Sequence, residues 1–219
     1  MYQLRIDIQV GKFEIWRRVL VPRGATFYDL HRVIQTVFDW QDSHLHEFFT
    51  LVDAAGFTDD MPACLCPRKD VIVDRNGRNW SWVKETENRL DEKEIVLSDV
   101  FDKTDFCVYH YDFTDDWCHI IRLEKVVDGA DCVAGEGNGN NGAADTKCAE
   151  GGCEKAKLLD REGTRPPEGV GGETGFEDFV RVVEDKRNPF REQMLDWVEG
   201  LEERELTIDE INCALEAIC

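Results

Sequence analysis

Tyr2, Leu4, Ile6, Ile8 and Val10 alternate with Gln3, Arg5, Asp7 and Gln9, the period-two pattern of a strand buried on one face. Gly11-Lys12 then turns the chain. Phe13 to Val21 reads as a second strand, closed by Pro22, which has no N–H to give a ladder. An antiparallel hairpin joins the two most simply. Thr26 with Asp29 makes a capping-box variant ahead of Leu30, Val33, Ile34, Val37 and Phe38, so a helix of about four turns with one apolar stripe is predicted, ending near Asp39-Trp40. From His44 to Val52 the alternation returns, with His44, His46, Phe48 and Thr50 on one face and Leu45, Glu47, Phe49 and Leu51 on the other.

The middle of the chain is less regular. Residues 53–70, with Gly56, Asp59-Asp60, Pro62 and Pro67, read as a loop. Val71 to Asp74, Trp80 to Val83 and Glu94 to Leu97 are short strand candidates. Phe106 to Phe113 and Trp117 to Val127 are rich in β-branched and aromatic residues, and Thr114-Asp115-Asp116 alone separates them, which predicts a hairpin. Between Asp128 and Gly172 the composition shifts to Gly, Asn, Ala and acids, too polar to offset ordering entropy, and a mobile loop is expected. Thr174 with Glu177, a second start near Phe190, and Thr207 with Glu210 mark three C-terminal helices with apolar stripes. The order strand, strand, helix, strands, helices predicts an α+β fold: a mainly antiparallel sheet, one early helix and a C-terminal helical part, residues 174–219, packed on it. One domain over residues 1–219, with a flexible acidic insertion at about 128–172, is the expected organisation.

The chain of 219 residues carries 46 acidic and 26 basic side chains, a formal charge of -20. That charge repels a phosphate backbone, and no Lys/Arg tract offers a local exception, so nucleic acid and anionic membranes are disfavoured partners. No stretch has the apolar length of a membrane span, and the N-terminus lacks the build of a signal peptide, which predicts a cytoplasmic protein. In that compartment the nine cysteines are expected to be reduced thiols or metal ligands.

The densest chemistry is His110-Tyr111-Asp112-Phe113-Thr114-Asp115-Asp116-Trp117-Cys118-His119. His44, His46, His110, Asp112, Asp115, Trp117 and His119 form the candidate site. A two-residue turn at Asp115-Asp116 would set Asp112 opposite His119, and a three-residue loop would send His119 to the other face. If His110, Asp112 and His119 converge, with His44 or His46 contributed from another strand, their imidazoles and carboxylate suit zinc or a related metal. The architectural reading makes Asp112 a turn acceptor and the rings core filling, and it is favoured. Cys64, Cys66, Cys148 and Cys153 are a second zinc candidate, should their loops meet. Arg17 and Arg18 point to opposite faces of a strand, so they cannot form one cationic patch, and pairing with the many acids is expected.

Several segments closely resemble one family. They are Ile15-Trp16-Arg17-Arg18-Val19-Leu20-Val21-Pro22, Leu30-His31-Arg32-Val33-Ile34-Gln35, Trp40-Gln41-Asp42-Ser43-His44-Leu45-His46-Glu47-Phe48, the run from Tyr109 to His119, Arg165 to Gly172, and Thr207 to Asn212. In this order they are similar to the plasmid pRiA4b ORF-3-like family, including its Tyr-Asp-Phe-Gly-Asp-x-Trp-x-His signature. Thr114 and Asp116 stand on either side of the turn acid where the family has glycines, Arg165 where a cysteine precedes Pro-Pro, and Gly169 where an acid follows Pro-Pro-Glu. The resemblance implies a compact α+β protein, linked by name to plasmids and mobile elements, with no established reaction. A soluble protein-interaction module with unidentified protein partners is the leading functional expectation, and an enzyme is not favoured. A metal-binding or hydrolytic protein using the hairpin His/Asp cluster is the first alternative, and a mobile-element-associated DNA accessory protein the second.

Overall fold

The alternation at the N-terminus builds the middle of a single eight-stranded sheet. A computed structural model describes residues 1–127, 155–200 and 206–218. In chain order these form β1 (Tyr2–Ile8), β2 (Trp16–Val21), α1 (Phe27–Val37), β3 (His46–Leu51), β4 (Arg68–Val73), β5 (Asn88–Asp91), α2 (Leu97–Phe101), β6 (Phe106–Tyr111), β7 (Trp117–Val126), β8 (Lys157–Glu162), α3 (Gly172–Glu184), α4 (Arg191–Gly200) and α5 (Ile208–Leu215). The strand order is β5-β4-β3-β6-β7-β1-β2-β8. Every pairing is antiparallel except β4 with β5. The α+β expectation therefore holds.

The helices cover one face of the sheet. Tyr2, Leu4 and Ile6 of β1, Phe48 of β3, Tyr109 and Tyr111 of β6 and Ile121 of β7 pack there against Phe27, Leu30, Ile34 and Phe38, with Phe176, Ile211 and Leu215 from the C-terminal helices. On the reverse face, Phe49, Val71, Val108, Cys118 and Ile120 are covered by the segment carrying Ala63 and Val83. Period-two side-chain alternation is what lets one strand serve two cores.

Two of the three expected capping boxes form, Thr26 with Asp29 and Thr207 with Glu210. α3 differs: it begins at Gly172 behind a left-handed Gly171, so Thr174 lies inside it and caps nothing. Trp80 to Val83 is not a strand, because Arg78–Trp82 forms a 3-10 turn. Glu94 to Leu97 contributes one isolated bridge, Thr26 to Val96, while the strand of this region is β5. The expected loop at 128–172 contains β8 in its described part. Lys157-Leu158-Leu159-Asp160-Arg161-Glu162 has only two apolar residues, yet it pairs along β2. The Asn212 amide completes this edge, accepting from Leu158 N at 2.7 Å and donating to Leu158 O at 3.1 Å. Residues 128–154 lie outside the described residues.

The two strand arginines separate as expected but find different partners. Arg18 pairs with Glu124 at 2.7 Å and Asp160 at 3.2 Å. Arg17 sits opposite Ile6, on the core face, only 2 % exposed. Its guanidinium donates to the carbonyls of Val37, Trp16, Glu162 and Gly163 and covers the Phe38 ring at 4.7 Å. These carbonyls include the C-terminal turn of α1, where a cation is favoured.

Candidate functional site

The hairpin geometry corrects both turns considered from sequence. Tyr111 pairs with Trp117, His110 with Cys118 and Tyr109 with His119, so residues 112–116 form a five-residue loop. Asp112 and Asp116 both adopt left-handed backbone, φ 52° and 62°, which Asp tolerates better than most residues. Asp116 N donates to Asp112 O at 2.6 Å, and the Asp112 carboxylate accepts from Thr114 N at 3.0 Å. Cross-strand partners share a face, so His119 lies with Tyr109 on the helix side and His110 lies with Cys118 on the reverse. His110, Asp112 and His119 therefore do not converge.

His119 is fully buried beside Phe38, Trp40 and Tyr109. Its Nδ1 donates toward Trp117 O at 3.1 Å and Tyr109 O at 3.3 Å, and its buried Nε2 has no hydrogen-bond partner among the described residues. Burial pushes its pKa down to about 3, so the ring is neutral filling. Trp117 is buried, and Asp115 accepts from Gly171 N at 3.1 Å. Glu168 accepts from the Tyr111 hydroxyl at 2.6 Å, and Trp40 Nε1 donates to Pro166 O at 3.1 Å. The Pro-Pro-Glu-Gly segment thus closes over the hairpin end. Gly172 makes this approach feasible: at φ +67°, a Cβ there would stand 2.7 Å from Asp115 O. Gly172→Ala is expected to cost about 1–2 kcal/mol for the backbone conformation alone, with the clash added. An unchanged urea midpoint would refute that.

Two of the predicted histidines border a different site. His46 leaves β3 on the helix side and stacks on His31 of α1, with centroids 3.5 Å apart and planes within 5°. The two rings line a cleft of about 220 Å³ with Tyr28, Asp42, His44, Asp74, Asn79 and Glu92. Asn79 donates to His46 O at 2.6 Å and holds the strand end. Gln35 Nε2 donates to the Tyr109 hydroxyl at 3.0 Å, and that hydroxyl lies 2.9 Å from His31 Nδ1. His31 Nε2 then faces Asp42 Oδ1 at 2.9 Å, and Asp42 N donates to Gln35 Oε1 at 3.0 Å, closing the ring of bonds. His46 Nε2 lies 2.8 Å from Glu92 Oε2, a carboxylate only 1 % exposed. Burial lowers the His31 pKa against the pull of Asp42. For Asp42 burial acts upward, but the His31 bond and the nearby imidazoles outweigh it and hold the carboxyl low. One ligand atom each from His31, Asp42 and His46 lies within 4.8 Å of the others. His44 is more exposed, 3.5 Å from Asp112 Oδ2.

His31, Asp42 and Glu92 were not among the sequence candidates. A signal for His31 existed: it lies four residues from both Phe27 and Gln35, at the margin of the apolar stripe, where a buried polar side chain stands out. Glu92 had none, as one acid among 46.

The reverse face holds a second cluster. Cys64, on a 3-10 turn at Ala63–Leu65, is disulfide-bonded to Cys118 of β7, with Cα atoms 6.0 Å apart. This corrects the expectation of a free Cys64 and removes it, in the oxidised chain, from a four-thiolate set. Cys66 and Cys213 are free thiols, as is the buried Cys107, while Cys148 and Cys153 lie outside the described residues. His110 Nε2 stands 2.6 Å from Asp116 Oδ1, and the Cys64, His110 and Asp116 donors lie within 4.8 Å of one another.

An eight-stranded, mostly antiparallel sheet, helices on one face and a signature hairpin locked under a Pro-Pro-Glu segment define the class of protein. The chain belongs to the plasmid pRiA4b ORF-3-like protein family, whose profile matches residues 1–151 and 143–214. It is 25 % identical over 198 residues to the uncharacterized protein y4hQ of Sinorhizobium fredii (strain NBRC 101917 / NGR234), covering 89 % of this chain and 79 % of that one. Among solved structures it is similar to MM3350, a protein of unknown function from Methanosarcina mazei Go1, with a TM-score of 0.61, 26 % identity and coverage of 94 % and 91 % of the two chains. Among the described residues no helix is long and apolar enough to cross a membrane.

Proposed function

We propose that this protein binds a divalent transition-metal ion in the cleft between α1 and β3, through His31, His46 and Asp42, with Glu92 beside them. The observation that carries the reading is the convergence of these donors, from a helix, a strand and the loop after α1, on the wall of one open cleft. Two imidazoles with a carboxylate are the donor set of zinc and non-haem iron sites. Asp42 and the buried Glu92 offer negative charge that a dication would compensate. The reading draws on direct geometry. The protein-interaction reading rests on net charge and on residues outside the described ones, and the DNA reading is opposed by that charge.

A metal must lie near the plane of each ring that ligates it, and stacked parallel rings cannot both meet that condition. Loading is therefore expected to splay His46 from His31. Calorimetric titration of the oxidised full chain with Zn²⁺ is expected to give one ion bound, with affinity lowered at least tenfold in H31A and in H46A, on the order of a ligand-shell loss. Ring-proton NMR should report the loss of stacking. Absence of binding, or full-affinity binding by a folded H31A/H46A double variant, would overturn the reading.

A further inference from the structure

We propose a second, thiol-gated zinc site on the reverse face of the sheet, formed by Cys64, Cys118, His110 and Asp116 when the Cys64–Cys118 bond is reduced. It shares no residue with the cleft and stands or falls separately.

Ligand atoms of Cys64, His110 and Asp116 lie within 4.8 Å of one another, and Cys118, bonded to Cys64, supplies the fourth donor. Cys118 and His110 are direct cross-strand partners on β7 and β6, so their side chains leave the same face. Cys64 is already in bonding reach of Cys118. Its turn is anchored by Gln9, whose Oε1 accepts from Ala63 N at 2.9 Å and whose own N donates to Cys118 O at 2.8 Å. Asp116 is brought in by the left-handed backbone of the loop. Two thiolates, an imidazole and a carboxylate complete a tetrahedral zinc shell.

The surroundings of His110 fit a ligand role. The residue is 8 % exposed, and its Nε2 faces Asp116 Oδ1 at 2.6 Å. On the far side of the ring, Nδ1 lies 3.4 Å from Glu47 Oε1, which Arg68 holds at 2.5 Å. A carboxylate behind a histidine is the usual orienting partner of a metal-bound imidazole. Glu47 is accordingly a positioning residue.

The two states exclude each other. A dithiol reductant, small or protein-borne, supplies two electrons and two protons: its own S–S bond forms as the Cys64–Cys118 bond breaks, leaving two thiols. Each thiol releases its proton to solvent as its sulfur binds zinc, so one ion replaces one covalent bond. The same crosslink between the loop and β7 is thereby kept in either redox state.

Cobalt(II) titration of the full chain tests this, because thiolate-bound cobalt has a near-ultraviolet charge-transfer band that histidine and carboxylate sites lack. The background is C148S/C153S, so that this pair contributes no thiolate. The dithiol-reduced chain is expected to gain the band and the oxidised chain to lack it. C118S should abolish it, H110A should weaken cobalt binding at least tenfold, Glu47→Gln should weaken it about tenfold, and C66S and H46A should leave it unchanged. Circular dichroism establishes that each variant is folded. A reduced, folded chain without the band would overturn the site. A band that survives C118S or vanishes in C66S would equally overturn it, by moving the ligands elsewhere.

Discussion

Between pH 6.5 and pH 4, His119 alone is expected to strip the fold of about 1.4 kcal/mol of stability per pH unit. In the unfolded chain this imidazole takes up a proton near its ordinary value of 6.5, whereas in the fold burial defers protonation to about 3. Over that interval the unfolded state binds the extra proton, so acid favours unfolding. The contribution is complete above pH 6.5 and declines toward pH 3, with a limit on the order of 5 kcal/mol. His119→Asn is the informative variant, because its amide can replace the Nδ1 donor without titrating. It carries a fixed packing loss at every pH, but its unfolding free energy from urea titrations should fall less steeply with acid. Parallel pH dependences for the two proteins would rule the effect out.

Replacement of Arg17 by alanine is expected to cost about 3 kcal/mol, since hydrogen bonds from a charged group contribute roughly 1.5–3 kcal/mol each and only part of that is recovered by sparing a buried charge its desolvation. The guanidinium ties three elements at one point: the end of α1 through Val37, β2 through Trp16, and the end of β8 through Glu162 and Gly163. Lysine should not rescue it, because a single ammonium cannot present donors in the planar fork that reaches all of them. Thermal unfolding of R17A, R17K and the parent decides. A shift in R17K less than half that in R17A would show that charge, and not fork geometry, is what matters.

Elements that announce themselves locally were legible in the sequence. The alternation from Tyr2 to Ile8 and the two Thr capping boxes each express an interaction complete within a few residues. β8 was not legible, because its stability comes from β2 and from Asn212, 54 positions from Leu158. The hairpin was located correctly, but its loop length was not, since that depends on Asp112 and Asp116 both taking backbone that sequence patterns assign first to glycine. The cleft was half visible: the shared face of His44 and His46 followed from strand period, while His31 was absorbed into a helical stripe and Glu92 into the acidic composition. The Cys64–Cys118 pairing spans 54 residues, and expectations drawn from compartment opposed it. Long-range partners, more than local propensity, separate what could be read from what could not.

The position of β8 also bears on how freely this chain can change in length. β7 ends at Val126 beside Tyr2, and β8 begins at Lys157 beside Leu20, which in turn neighbours Gln3, so both lie at one end of the sheet. The connection crosses only β1 and β2, three strand spacings or about 14 Å, a gap that roughly five extended residues would bridge. The chain devotes residues 127–156 to it. Val127, whose N donates to Met1 O at 2.9 Å, and Ala156, buried in the main core, hold the two ends of that connection, so any change in its length must leave both in place.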